Sequence, residues 1–176
     1  MDGSYVETAL ETALRRFRRS GGQQVETDLN TDGDESLVQL RKACRLLEAV
    51  RTLRANDGYA TSAIELSFAA VERSIQFYLF YRGNYEPGEF HDHEAVYRAG
   101  RDLNLYDDAL AEGFRTLWAQ NRSAVYYHNS LATTEQATAM FALAESVHRW
   151  ILEYANLSHE CRCSTLPANP YRERTE

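Results

Sequence analysis

Apolar positions recur at helical spacing along most of the chain. Val6, Leu10, Ala13, Leu14 and Phe17 form a first stripe, flanked by Arg15, Arg16, Arg18 and Arg19. Gly21 and Gly22 close it, and residues 23–33 read as a polar linker. A second stripe runs through Leu37, Leu40, Cys44, Leu47, Val50 and Leu53, with Asp34 or Ser36 placed to cap its start. The turn Asn56-Asp57-Gly58 separates it from the strongest stripe: Ile64, Phe68, Val71, Ile75 and Leu79, with Glu65, Glu72 and Gln76 opposite. Beyond a loop holding Pro87-Gly88, the spacing predicts a short helix from about Asp92 to Arg101. A longer one follows from about Asp107 to Leu131, distorted around Asn121. Thr133 and Gln136 have capping-box spacing, and the last helix buries Met140, Phe141, Ala144, Val147, Ile151 and Tyr154. From Leu157 onward the chain reads as a polar tail.

Composition narrows the architecture. The 176 residues suit one domain, and a hydrophobic share of 44% is enough for a core. Nine glycines and three prolines are too few turn residues for a sandwich or barrel of short strands. The expected fold is all-α, an up-and-down bundle of five or six helices. Residues 1–33 would supply an N-terminal helix and linker, 34–156 the helical domain, and 157–176 the tail.

Charge and cysteine usage restrict function further. With 26 acids against 19 bases the net charge is −7, which excludes a uniformly basic coat for duplex nucleic acid. A local arginine site for one or two phosphates remains open, because guanidinium binds phosphate through two parallel hydrogen bonds. Three cysteines, Cys44, Cys161 and Cys163, make no disulfide framework. No secretory signal and no bilayer-length apolar run is visible, so a cytoplasmic protein without membrane association is expected.

Asn121-Arg122-Ser123-Ala124-Val125-Tyr126-Tyr127-His128 is the first segment that could carry chemistry. Arg122 brings a permanent charge for phosphate, and His128 can move a proton near neutral pH. Six positions separate them, too many for a shared face of one ideal helix, so a distorted turn or a second subunit would have to bring them together. His91-Asp92-His93-Glu94 has metal-ligand character, but its simpler reading is a helix start favoured by the two acids. In His159-x-Cys161-x-Cys163, on the expected tail, exposed thiols without a metal are the expectation. The cluster Arg15, Arg16, Arg18 and Arg19 suits the end of a helix as well as it suits an RNA backbone. Phe77, Tyr78, Phe80 and Tyr81 suggest core or a dimer seam.

The order of segments resembles the HEPN family of small helical domains. The resemblance begins at Tyr59 with "YATSAIELSFAAVERSIQFYLFYRG" and continues with "HDHEAVYRAG", similar to the family's connecting helix. "RSAVYYH" fits its Arg-(four to six residues)-His motif, and "TTEQATAMFALAESVHRWILEYA" is similar to its terminal helix. The resemblance implies a HEPN-like bundle and a metal-independent endoribonuclease of a toxin–antitoxin or defence system, acting on single-stranded RNA. It implies Arg122 and His128 as the catalytic pair, with Asn121 and Ser123 positioned to bind the phosphate. No cofactor is implied. A homodimer is, and so is a nucleotidyltransferase-type antitoxin as partner. The family's other mode, a non-catalytic interaction module, uses the same helices. Toxins of the family commonly carry a Tyr two residues after the His as a site of nucleotide attachment; Ser130 stands there in this chain.

Overall fold

Four helices begin where a short polar side chain takes up N–H groups that the first turn leaves unpaired, whereas the helix that starts after Tyr59 has no side-chain cap. Asp34 Oδ1 accepts from the backbone N–H groups of Ser36 and Leu37 at 2.9 and 3.1 Å. Asp92 and Asp107 do the same for Ala95 and Leu110. Thr133 and Gln136 complete the capping box reciprocally, at 3.2 and 2.9 Å. The computed structural model describes residues 4–18, 29, 31–86, 88–90, 92–123 and 131–163. Its helices are α1 (Ser4–Phe17), α2 (Glu35–Arg54), α3 (Ala60–Tyr81), α4 (His93–Asp102), α5 (Asp108–Asn121) and α6 (Thr134–Ala155), and no strand occurs among the described residues. The fold is an all-α helical bundle. Asn156 ends α6 in the left-handed conformation at φ +57°, a conformation that asparagine tolerates better than most residues.

Helix α3 is the central element, packed along both α2 and α6. Leu40, Leu47 and Val50 of α2, Val71, Ile75, Phe77 and Leu79 of α3, and Ile151 of α6 are fully buried. The aromatic run on α3 turns inward. Phe77 and Tyr78 are buried within one chain, with the Tyr78 ring 5.6 Å from that of Tyr154, and only Tyr81 is well exposed. Phe77 and Tyr78 are therefore core, one of the two readings their spacing allowed.

Helices α4 and α5 pack on one another and α4 docks on α3. Tyr97, Tyr106 and Phe114 form their aromatic centre, with ring separations of 5.4 and 5.5 Å to Phe114. The Tyr106 hydroxyl donates to the Tyr97 carbonyl at 2.9 Å and lies directly over Gly100. A Cβ at position 100 would overlap the phenol, whose ring is held between Phe114 and Trp150. Gly100→Ala is thus expected to destabilise the fold by about 1–3 kcal/mol, read as a lower urea midpoint at unchanged slope. Helix propensity alone favours Ala over Gly by about 1 kcal/mol, so a net loss identifies the clash.

Three features depart from the sequence reading and one agrees with it. The α1 stripe is exposed rather than core, with Phe17 at 92% and Leu10 at 58%. Tyr154 is exposed where burial was expected. Helix α5 runs to Asn121, and a π-type turn at Arg122 and Ser123 stands where the distortion was expected; residues 124–130 lie outside the described residues. And the expected polar tail is folded as far as Cys163: the α6 cap reverses the chain into a 3₁₀ turn, Ser158–Glu160, that returns to α2. Among the described residues no helix is long and apolar enough to cross a membrane.

Candidate functional site

Glu65 and Glu72 lie seven residues apart on α3, two turns along the same side. Each fixes one neighbouring helix. Glu65 Oε1 accepts from Asn121 Nδ2 at 2.7 Å, and Glu65 Oε2 pairs with Arg122 Nη2 at 3.1 Å. Asn121 is buried; the Arg122 and Glu65 side chains are 20% and 28% exposed. The Arg122 guanidinium also lies over the Trp118 ring, 5.3 Å from its centroid. Glu72 in turn pairs with His93 Nδ1 and accepts from the Tyr97 hydroxyl at 3.2 Å. Burial and then the charge on Glu72 push the Tyr97 phenol well above its ordinary range, which keeps it a donor. The His93 ring is 5.0 Å from Trp118, so the indole touches both the Glu72 group and the Glu65 group.

The structure therefore brings Asn121 and Arg122 together on one carboxylate. Ser123 is outside that group: it is exposed, and its hydroxyl donates to the Gln120 carbonyl of its own turn at 3.2 Å. His128 lies outside the described residues. Beside Asn121 opens an apolar groove of about 570 Å³, lined by Ile64, Phe68, Leu117, Met140 and Leu143. Sequence reasoning set Glu65 on the polar side of α3 without assigning it a partner. The seven-residue spacing to Glu72 marks a polar rail on an otherwise apolar helix, and that was the available signal.

The His91-Asp92-His93-Glu94 segment behaves as a helix start. Asp92 caps α4, Glu94 lies in its first turn, and His93 is engaged by Glu72; His91 lies outside the described residues. Arg15 and Arg16 occupy the last turn of α1, where Arg15 donates to Thr12 Oγ1 at 3.3 Å; Arg19 lies outside the described residues.

Far apart in sequence, Cys44 of α2, His148 of α6, and Cys161 and Cys163 beyond the 3₁₀ turn place their ligand atoms within 4.8 Å of one another. His148 Nε2 is 3.7 Å from Cys44 Sγ, 3.4 Å from Cys161 Sγ and 3.6 Å from Cys163 Sγ. The Cys44 and Cys161 sulfurs are 3.9 Å apart, and all three thiols are free. On its other side, His148 Nδ1 is 3.0 Å from Ser74 Oγ, whose own proton goes to the Ala70 carbonyl at 2.8 Å. Ser74 is therefore the acceptor and Nδ1 the donor, which leaves Nε2 to face the sulfurs. Backbone N–H groups of Arg162 and Cys163 point at the sulfurs of Cys44 and Cys161, each at 3.4 Å. Arg41 of α2 holds the returning segment through the Glu160 carbonyl and carboxylate, the latter at 3.1 Å.

Protons are contested in this space. Burial pulls the His148 imidazole down, but the sulfurs of Cys161 and Cys44 outweigh it and push the group up to about 9. Hydrogen bonding between the two tail sulfurs drives the Cys161 thiol well below its ordinary value and the Cys163 thiol well above. The sequence reading of this region is corrected in one respect: His159 is 68% exposed and takes no part, whereas Cys161 and Cys163 join Cys44 and His148. His148 falls on the buried stripe of α6 with Phe141, Ala144 and Ile151, and a histidine on that stripe was the signal passed over.

A family model described as Domain of unknown function (DUF8154) matches residues 1–163, and the chain belongs to that family. No curated protein and no solved structure matches it.

Proposed function

We propose that this protein is a metal-independent endoribonuclease of the HEPN type, with Arg122 as the phosphate-binding residue and His128 as the proton-transfer residue. The observation that carries the reading is the anchoring of Asn121 and Arg122 on Glu65. A guanidinium held at one edge by a carboxylate and over an indole has a fixed orientation, which a phosphate clamp needs and a solvated surface arginine lacks. In the reaction, the ribose 2′-oxygen loses its proton to a base and attacks the adjacent phosphorus. The bond to the 5′-oxygen breaks, and that oxygen takes a proton from an acid. The products are a 2′,3′-cyclic phosphate and a 5′-hydroxyl. His128 serves the proton transfers, and Arg122 offsets the charge that grows on the phosphoryl oxygens. A toxin or defence role, with a homodimer and a nucleotidyltransferase-type antitoxin as partner, belongs to the same proposal.

A second reading has its own support. Glu65 already neutralises Arg122 and Trp118 covers it, as in an arginine that secures the end of α5. On that basis the domain is a non-catalytic interaction module. One assay separates the two. Protein incubated with single-stranded RNA in excess EDTA, with folding checked by circular dichroism in the same buffer, is expected to leave 2′,3′-cyclic ends and to spare DNA of the same sequence. Cleavage that appears only on addition of a divalent metal would overturn the mechanism. Folded protein that cuts no RNA removes the nuclease reading and leaves the interaction module.

A further inference from the structure

We propose that Cys44, His148, Cys161 and Cys163 bind one zinc ion as a closed, structural Cys₃His site. Zinc takes sulfur at about 2.3 Å and imidazole nitrogen at about 2.0–2.1 Å in tetrahedral geometry. Those bond lengths require sulfurs about 3.8 Å apart and sulfur–nitrogen separations of about 3.5 Å. The separations found, 3.9 Å between the Cys44 and Cys161 sulfurs and 3.4–3.7 Å from each sulfur to Nε2, match both, and all four ligand atoms lie within 4.8 Å of one another. A disulfide would need sulfurs about 2.05 Å apart, which the Cys44 and Cys161 pair does not approach.

The surroundings are those of a metal site as well. Ser74 fixes the tautomer that presents Nε2, the task that an outer hydrogen bond performs for a ligating histidine. Two backbone N–H groups directed at sulfur stabilise thiolate. Soft sulfur with one imidazole selects zinc over magnesium, calcium or manganese. The family match ends at residue 163, so the whole ligand set lies inside the family's unit.

Four protein ligands leave no open position, so the ion cross-links rather than catalyses. It ties the segment after α6 to α2 and α6 in the place where Arg41 already holds Glu160. His148 meets Ser74 on α3, nine residues from Glu65, a rise of about 13 Å along the helix. The zinc site is thus separate from the Arg122 group, and the inference stands whether or not the protein cuts RNA.

The full chain, expressed with zinc in the medium and purified without chelator, is expected to carry one zinc per chain by elemental analysis. Exchange for cobalt(II) should give intense visible bands of tetrahedral cobalt with thiolate-to-metal charge transfer in the near ultraviolet. Cys161→Ser and Cys163→Ser, at partly exposed positions where folding is robust, should abolish that spectrum. His148→Cys should keep a tetrahedral cobalt spectrum with stronger charge transfer, and Ser74→Ala should bind zinc about 10–100-fold more weakly. Protein without stoichiometric zinc that also gives no tetrahedral cobalt spectrum on titration overturns the proposal. So does a native disulfide detected by mass spectrometry, or an unchanged cobalt spectrum in Cys163→Ser.

Discussion

Glu65→Ala protein is expected to be about 2–3 kcal/mol less stable than the parent chain and to lose most of any RNA cleavage. The stability loss follows from what Glu65 leaves behind. Asn121 is buried and its Nδ2 donates to Glu65, so truncation strands an amide away from water, at a cost of about 1–3 kcal/mol. Arg122 loses its contact with the Glu65 carboxylate while most of its side chain stays covered beside Trp118, which adds to the loss. Glu65→Gln separates the two contributions. Its amide oxygen can still accept from Asn121, so it should lose about 1 kcal/mol and remain folded. If Glu65 orients Arg122 for phosphate, the Gln variant at a temperature where it is fully folded should lose kcat more than KM rises, because a misaimed clamp harms the transition state most. Urea midpoints for both variants, with single-turnover cleavage alongside, check the prediction. A Glu65→Ala midpoint within about 0.5 kcal/mol of the parent would remove Glu65 from any positioning role.

How far such a site is legible in a sequence depends on whether its partners are local. Helical stripes and caps are local: Asp34, Asp92 and Thr133 stand where the periodic pattern begins, and each caps in the folded chain. Periodicity also fixed which face of α2, α3 and α6 turns inward. It could not say what lies opposite, so the α1 stripe reads like a core face although α1 buries little of it. It likewise left the Phe77 and Tyr78 rings between core and a dimer seam, when α6 supplies Tyr78 with a partner in Tyr154. The Arg122 motif was readable as a spacing, but its anchor on Glu65 comes from another helix 56 positions earlier. The Cys/His cluster was least legible of all. Its members come from α2, α6 and a segment that returns only because Asn156 adopts φ +57° and Arg41 captures Glu160. A pair one residue apart near a chain end reads as a loose tail until that return path is known.

His128→Ala should reduce cleavage by about 10²–10⁴-fold, the share that a positioned general acid or base supplies, with melting unchanged. Arg122→Lys should fall by a similar factor, because an ammonium cannot reproduce the two parallel hydrogen bonds of a guanidinium. The two losses then test whether the site is shared between subunits. Arg122 is at the C-terminal end of α5, and Glu65 and Trp118 of the same chain hold it there. A two-fold axis beside that end would face Arg122 of one protomer toward His128 of its partner and double the positive charge in one groove. In that arrangement each single variant carries one intact residue of the pair. Mixing Arg122→Ala with His128→Ala protein and allowing subunits to exchange would place one parental Arg122 and one parental His128 in the same cleft. Mixed dimers should therefore regain about a quarter of parental activity, since random exchange makes half of the dimers mixed and each has one working site of two. Sedimentation at micromolar concentration establishes the dimer beforehand. Cleavage at the full parental rate by a monomer, or no recovery in a mixture shown to contain mixed dimers, would exclude a composite site.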